Sequence, residues 1–328
     1  MSNDARRAFL LASVLAACAG AIASAAGAAE TYPQRAIRLI VPYPPGGAGD
    51  IIGRILAARL GEAVRQQVVA DNRPGGGQVI ATQLAARANP DGYTLLLAST
   101  THAINPGLLK KLPYDSIMDF SAITLVADSP LLFLAHPALD VASIQDLVAA
   151  AKSRPGRINY ASSGPGTGGH LSVELLKRMT SIDLVHIPYK GAGPALVDLV
   201  SGQVQVMCTS PLPSLPHVRA GRLKGLAMTG RARSSAAPEI PTVAESGVPG
   251  YESTLWYALL APAATPQPVM RRLHAETVKA IRLPGVVEQI SALGAQPIGS
   301  TPQEVTKFLQ SEITRWTRLI EQAGIRAD

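Results

Sequence analysis

Ile37-Arg38-Leu39-Ile40-Val41-Pro42-Tyr43-Pro44-Pro45-Gly46-Gly47-Ala48-Gly49-Asp50 joins two kinds of apolar pattern. Ile37 to Val41 is an unbroken apolar run of strand length. From Ile51 the apolar residues Ile51, Ile52, Ile55, Leu56 and Leu60 recur at helical spacing, with Arg54, Arg59 and Glu62 on the other side. The segment therefore reads as strand, glycine-rich loop, helix. Such a loop suits an anion: its glycines keep side chains away from the backbone, and the helix start supplies unpaired N–H groups and the positive end of a dipole. Asp50 reads as a residue of the helix start, bonded to first-turn amides.

The alternation continues along the chain. Strand-like runs are predicted at Gln67 to Ala70, Thr94 to Ala98, Ile123 to Val126, Leu131 to Ala135, Ile158 to Tyr160, Leu184 to Ile187, Val204 to Cys208 and Leu223 to Met228. Strands alternating with amphipathic helices imply α/β layers, and about 300 residues suggest two domains. Four more strands end in glycine-rich or hydroxyl-rich turns: Asn72 to Gly77, Ser99 to Thr101, Ser162 to Gly169, and Lys190 to Pro194. Ligands in open α/β sheets bind beyond the carboxyl ends of the strands, so these turns are candidates for one shared crevice. Taken singly, each glycine has an alternative role as a tight turn.

The N-terminus reads as an export leader over residues 1–29: Arg6-Arg7, an uncharged run from Ala8 to Ala17, and small residues around Ala26-Gly27-Ala28. Its apolar core is short for a membrane span. Arg6-Arg7-Ala8-Phe9-Leu10 is similar to a twin-arginine signal, and Leu15-Ala16-Ala17-Cys18 to a lipidation site at Cys18; cleavage near Ala28 or Ala29 is the expectation. Loss of the leader leaves Cys208 as the one cysteine, so an intramolecular disulfide is excluded. It also removes two arginines and one aspartate from a chain of formal net charge +7. The cations are scattered and aromatics are 4% of residues, which argues against nucleic acid as a partner.

Gly164-Pro165-Gly166-Thr167-Gly168-Gly169 satisfies G-x-G-x-x-G, but a dinucleotide site also wants an acid at the end of the next strand. Asp183 falls at that strand's start. No G-x-S-x-G, H-E-x-x-H or C-x-x-C motif occurs, and the six histidines have no metal-ligand spacing, so neither a metal nor a cofactor is expected. His170, opening a helix after a glycine loop, is read as supporting that loop, with a ligand contact as the alternative.

Read together and in order, several motifs resemble the periplasmic solute-binding proteins of tripartite tricarboxylate transporters, the Bug or TctC family. They are Tyr32-Pro33 with Ile37 to Gly47 and Asp50; Asn72-Arg73-Pro74-Gly75-Gly76; Pro90 to Leu95; Ile104-Asn105-Pro106; Leu112 to Asp115; Tyr160 to Gly164 with His170-Leu171; Pro188 to Gly191; and Pro241 to Gly247. The resemblance implies a type II periplasmic binding-protein fold of two α/β lobes. The first lobe is then discontinuous, residues 30–130 plus 256–328, and the second is 131–255. The crossings are expected near Ala127 to Leu134 and Leu255 to Leu260, with helices over Val269 to Ile281 and Gln303 to Ala323 returning to the first lobe.

The resemblance further implies a receptor rather than an enzyme, acting as a monomer that delivers its ligand to inner-membrane transporter subunits or to a sensor. It implies a ligand carboxylate held by backbone groups and two ordered waters. Carried onto this chain, the contacts are Tyr43, Pro44, Gly46, Gly47, Ser99 and Thr100 from the first lobe. From the second they are Ser163, Gly166, Thr167, His170, Lys190, Gly191 and Thr209. Arg73 and Lys190 are read as an ion-pair or loop anchor and a solvated lysine, with ligand contact as the alternative for each. Many family members carry aspartate and asparagine where this chain has Thr209-Ser210, which points away from amino acids and toward plain mono- or dicarboxylates, including aromatic ones. An exported hydrolase or transferase using Ser163 or Ser99 with His170 is the rival enzymatic reading, and a structural surface protein is a third.

Overall fold

The computed structural model describes residues 32–326; the export leader and the cleavage sites considered for it lie outside them. Two sheets carry the fold. The first has the order β11-β4-β10-β3-β1-β2, built from β1 (Ile37–Val41), β2 (Val68–Asn72), β3 (Thr94–Ser99), β4 (Phe120–Pro130), β10 (Thr254–Pro262) and β11 (Gln296–Pro297). The second has the order β7-β6-β8-β5-β9, from β5 (Leu132–Ala135), β6 (Asn159–Ser162), β7 (Val185–Pro188), β8 (Val206–Thr209) and β9 (Lys224–Met228).

β1 pairs in parallel with β2 and β3, and β6 with β7 and β8. The predicted strand runs all fall on or beside strands, while β11 has no counterpart in the sequence reading because two residues leave no periodicity to read. Helices cover both faces of each sheet, which explains why β1 is apolar on both sides: Ile37, Leu39 and Val41 join one core cluster and Ile40 the other.

Helix α1 (Ala48–Val64) buries Ile52, Leu56, Leu60 and Val64, whereas Ile51, expected on that stripe, is 36% exposed. Helices α2 (Val79–Ala86) and α3 (Thr100–Leu108) cover the opposite face, and α8 (Gln267–Ile281) packs beside α1. The second sheet lies between α4 (Ile144–Ser153) with α5 (Gly168–Thr180) and α6 (Ala192–Val200) with α7 (Pro211–Arg219).

The first crossing lies where β4 ends at Pro130 and β5 begins at Leu132. The return crossing lies earlier than Leu255 to Leu260. β10 already pairs with β4 at Thr254↔Pro130, and the Ser253 N–H still bonds to Thr229 O in the second sheet's neighbourhood, so the chain changes sheets at Ser253 and Thr254.

The C-terminal returns are α8, then α9 (Pro284–Ala292), β11 and α10 (Pro302–Ala323). α10 packs on α3 and β4 and also touches α5. Glu312 anchors it: one buried carboxylate oxygen accepts the indole N–H groups of Trp256, at 3.0 Å, and of Trp316, at 2.9 Å. Trp256 sits just after the return crossing, so the long helix is tied to the hinge.

Candidate functional site

Chain direction places the carboxyl ends of the parallel strands, and the helix starts that follow them, on the side where the two sheets meet. The helices α1, α3, α5 and α6 begin at Gly47, Ser99, Thr167 and Gly191, and none of these residues caps its helix with a side chain. α4 is capped by Ser143 and α10 by a capping box of Thr301 and Glu304, while the starts of α2, α7, α8 and α9 also lack a side-chain cap. First-turn N–H groups left without a side-chain cap, at glycine or hydroxyl residues, form a field suited to an anion.

In the first loop, the Gly46 N–H donates to Asp50 Oδ2 at 2.8 Å, and Asn72 Nδ2 donates both to Asp50 Oδ1 at 2.7 Å and to Tyr43 O at 2.9 Å. Arg54 Nε approaches Asp50 Oδ1 at 3.0 Å. Asp50 thus bonds back to the loop rather than to the helix's first turn, which corrects the expectation. It is buried, which pushes its carboxyl up, but hydrogen bonds from Arg54, Gly46 and Asn72 together hold it below the ordinary carboxylate value. Its charge is consumed inside the protein and does not oppose an anion.

Gly46 has φ +91°, and a Cβ on Gly47 would meet nothing nearer than Pro44 O at 4.0 Å, so Gly47 borders open space. Gly49 is fixed by packing, since a Cβ there would fall 2.4 Å from the Tyr43 ring. Pro44, just before these glycines, is exposed.

Tyr43 stacks at a tilt on Tyr257, ring centroids 6.0 Å apart, and its hydroxyl lies beside Ser99, Gln78 and Tyr257. Burial raises its pKa, opposed by those polar neighbours, so it stays protonated. Ser99 Oγ donates to Gln78 Oε1 at 2.8 Å. Thr100 Oγ1 accepts the Trp256 N–H at 2.9 Å, so its hydroxyl ties α3 to β10 and only its backbone is left for a ligand.

On the second lobe, Ser162 Oγ accepts the Gly164 N–H at 3.1 Å and meets His186 Nε2 at 2.6 Å; Thr167 Oγ1 donates to Gly164 O at 2.8 Å. His170 Nδ1 accepts the Gly166 N–H at 3.0 Å, which is the supporting role expected of it. Its ring stacks on His186 with centroids 3.9 Å apart. Burial, the neighbouring His186 and Lys177 push its pKa down to about 3, so it is neutral.

Ser163 is half-buried, Lys190 is exposed, and Gly191 has φ +116° with open space where a Cβ would stand. Thr209 is buried at the end of β8, opposite Leu132. Arg73 pairs with Asp71 at 3.0 Å, as an anchor of its own loop.

The two sets of loops meet at the return crossing: Thr100 Oγ1 reaches Thr254 O at 3.4 Å from one lobe, and a Cβ on Gly168 would fall 2.4 Å from Leu255 from the other. Gly166 packs under Leu108 so closely that a Cβ would stand 2.5 Å from Leu108 Cδ2. Neither serine of the enzymatic reading is bonded to His170: Ser99 is bonded to Gln78, and the serine near an imidazole is Ser162, which is held by the Gly164 backbone and His186. Sequence reasoning missed Gln78, Tyr257 and His186. For Gln78 a signal was present, a glutamine directly after three glycines.

The profile of the tripartite tricarboxylate transporter family receptor, TctC, matches residues 52–325. The chain is 38% identical over 300 residues to Protein BugT of Bordetella pertussis, covering 91% of this chain and 92% of BugT. Among solved structures, it is similar to R. palustris Rpa4515 with adipate, at 35% identity and TM-score 0.77, covering 90% of this chain and all of that one. It is also similar to MatC from Rhodopseudomonas palustris with bound malate, at 31% identity and TM-score 0.73, covering 88% of this chain and all of MatC. The two-lobed fold and these matches agree that the chain belongs to the TctC, or Bug, family of solute-binding receptors, which are not enzymes.

Proposed function

We propose that this chain is a periplasmic receptor that captures one small carboxylate between its lobes and delivers it to the inner-membrane subunits of a tripartite tricarboxylate-type transporter. The observation that carries the reading is the set of helix starts at Gly47, Ser99, Thr167 and Gly191, each without a side-chain cap and each following a strand of one of the two sheets, with those of α3 and α5 meeting the return crossing. Export by the leader of residues 1–29 puts the receptor in the periplasm, where it acts as a monomer. In this reading the lobes are residues 30–130 with 254–328, and 131–253, the return falling two residues earlier than the sequence suggested.

In this reading Tyr43, Pro44, Gly46, Gly47, Ser99 and Thr100 receive one carboxylate, largely through backbone N–H groups and water. Ser163, Gly166, Thr167, His170, Lys190, Gly191 and Thr209 close from the other side. Gly46 contributes shape rather than its amide, which Asp50 occupies. The ligand is a mono- or dicarboxylate, aromatic acids included. Thr209-Ser210 offers no anionic partner for an ammonium group, which disfavours amino acids. Adipate and malate, held by two relatives, belong to the same chemical class.

Native mass spectrometry of freshly purified protein tests the reading. A co-purifying acid of one-to-one stoichiometry, released chemically unchanged, supports it. Steady conversion of an added acid to product contradicts it.

A further inference from the structure

Among the described residues four non-glycines have positive φ: Arg65, Gln78, Ser181 and Ala264. Arg65 and Ser181 close the C-termini of α1 and α5, where the left-handed conformation is ordinary. Gln78 stands instead at the start of α2, with φ +69°, after Gly75, Gly76 and Gly77 at +107°, +56° and +58°. A fourth glycine would satisfy this backbone without strain, and serine or aspartate would cap the helix; Gln78 makes no cap bond. Neither backbone nor helix explains the glutamine, so its side chain must.

That side chain crosses to the neighbouring loop, where Oε1 accepts the Ser99 hydroxyl at 2.8 Å. The backbone below it is fixed, since the Gln78 N–H bonds to Gly75 O at 3.0 Å, Thr82 Oγ1 donates to Gln78 O at 3.0 Å and Asn105 Nδ2 to Gly77 O at 2.9 Å. The carboxamide therefore sits where the loops of Tyr43, Gln78 and Ser99 meet, beside the hydroxyls of Tyr43 and Tyr257. Ser99 and Tyr257 are buried, whereas Gln78 is half-buried. With Oε1 engaged by Ser99 and the Tyr43 hydroxyl beside the amide, one of the two Nε2 N–H groups is the donor left to face a ligand. Strained backbone held in place by its surroundings is a recurrent mark of a functional position.

We infer that Gln78 is a specificity residue, whose Nε2 donates to a second oxygen acceptor, carboxylate or hydroxyl, on the acid held by the helix starts. This rests on the carboxylate-receptor reading above. It separates acids bearing a second oxygen group from simple monocarboxylates, because a donor left unpaired against a methyl end is disfavoured.

Calorimetric titration with adipate, malate and hexanoate, on the unmodified protein and on Gln78→Gly, Gln78→Asn and Gln78→Glu, tests it. Gln78→Gly is expected to bind adipate and malate roughly tenfold or more weakly, to keep hexanoate affinity within about twofold, and to melt at or above the temperature of the unmodified protein because the strain is gone. Gln78→Asn, which tolerates the same backbone, is expected to fall between, and Gln78→Glu to lose the dicarboxylate most strongly at pH 7. The inference is overturned if Gln78→Gly retains adipate and malate affinity, or if it loses hexanoate in equal measure. Binding of none of the three overturns the inference, and binding of no plain carboxylate at all, benzoate included, overturns the carboxylate reading itself.

Discussion

The backbone N–H of Gly46 donates to Asp50 Oδ2 at 2.8 Å, four residues ahead in the chain. This bond folds the glycine loop back on its own helix and removes one amide from the anion-binding set. Asp50, with a side chain only 3% exposed, then takes Arg54 and Asn72 as further partners. Asp50→Ala leaves the Gly46 N–H and the Asn72 amide without their acceptor, at an expected cost of about 1–3 kcal/mol. Urea unfolding gives the stability, and calorimetry should show ligand affinity falling at the same time.

The same carboxylate has a pH signature. Its folded pKa lies below the unfolded value, so its stabilisation is fully present above about pH 4 and is lost as pH falls through the folded pKa. The stability advantage of the unmodified protein over Asp50→Asn should therefore be constant near neutrality and shrink in acid. A constant difference down to pH 2 contradicts the assignment.

His170 behaves in the opposite range. It is buried neutral with a pKa pushed down to about 3, so the unfolded chain binds its proton first, near the ordinary histidine value of about 6.5. Its contribution is complete above that pH and declines as pH falls from about 6.5 toward 3. His170→Asn, whose Oδ1 can accept the Gly166 N–H in place of Nδ1, should flatten that decline while keeping the loop folded. Thermal melts of both proteins from pH 4 to 7 measure the difference in slope.

Gly166 and Leu108 form a contact between the two lobes with no room for a Cβ. Gly166→Ala is expected to cost about 1–3 kcal/mol by overpacking, with a further penalty from φ +70°. Leu108→Ala in the same chain should return part of that cost. A double-mutant cycle reads the coupling, and strict additivity would mean that the two residues do not meet in solution.

The architecture was legible where periodicity was long. β1 and α1 were read from Ile37 to Leu60, and the ordered motifs pointed to two lobes. The return crossing at Ser253 and Thr254 was placed slightly late because the apolar run starts only at Leu255, while pairing already begins at the polar Thr254. Ile51 was misread because a run of two isoleucines leaves the rotation of the stripe ambiguous by one position. At the site, the glycine loops were visible as composition. The polar cluster of Tyr43, Gln78, Ser99 and Tyr257 was not, because its members come from two loops and two strands that only the fold brings together. Asp50 was read as bonded to first-turn amides, but its partner is the loop amide of Gly46, a bond that depends on the turn's geometry.

The most direct test of the central claim is calorimetric titration of the unmodified protein and Gly47→Trp with adipate, malate, benzoate, aspartate and glutamate, with circular dichroism to verify folding. A Cβ at Gly47 enters open space at the start of α1, so the fold should survive while the bulky ring fills the anion's place. The account predicts saturable one-to-one binding of at least one plain carboxylate by the unmodified protein, and its loss in a folded Gly47→Trp. Equal carboxylate binding by the two proteins, or tight binding confined to the amino acids, would contradict it.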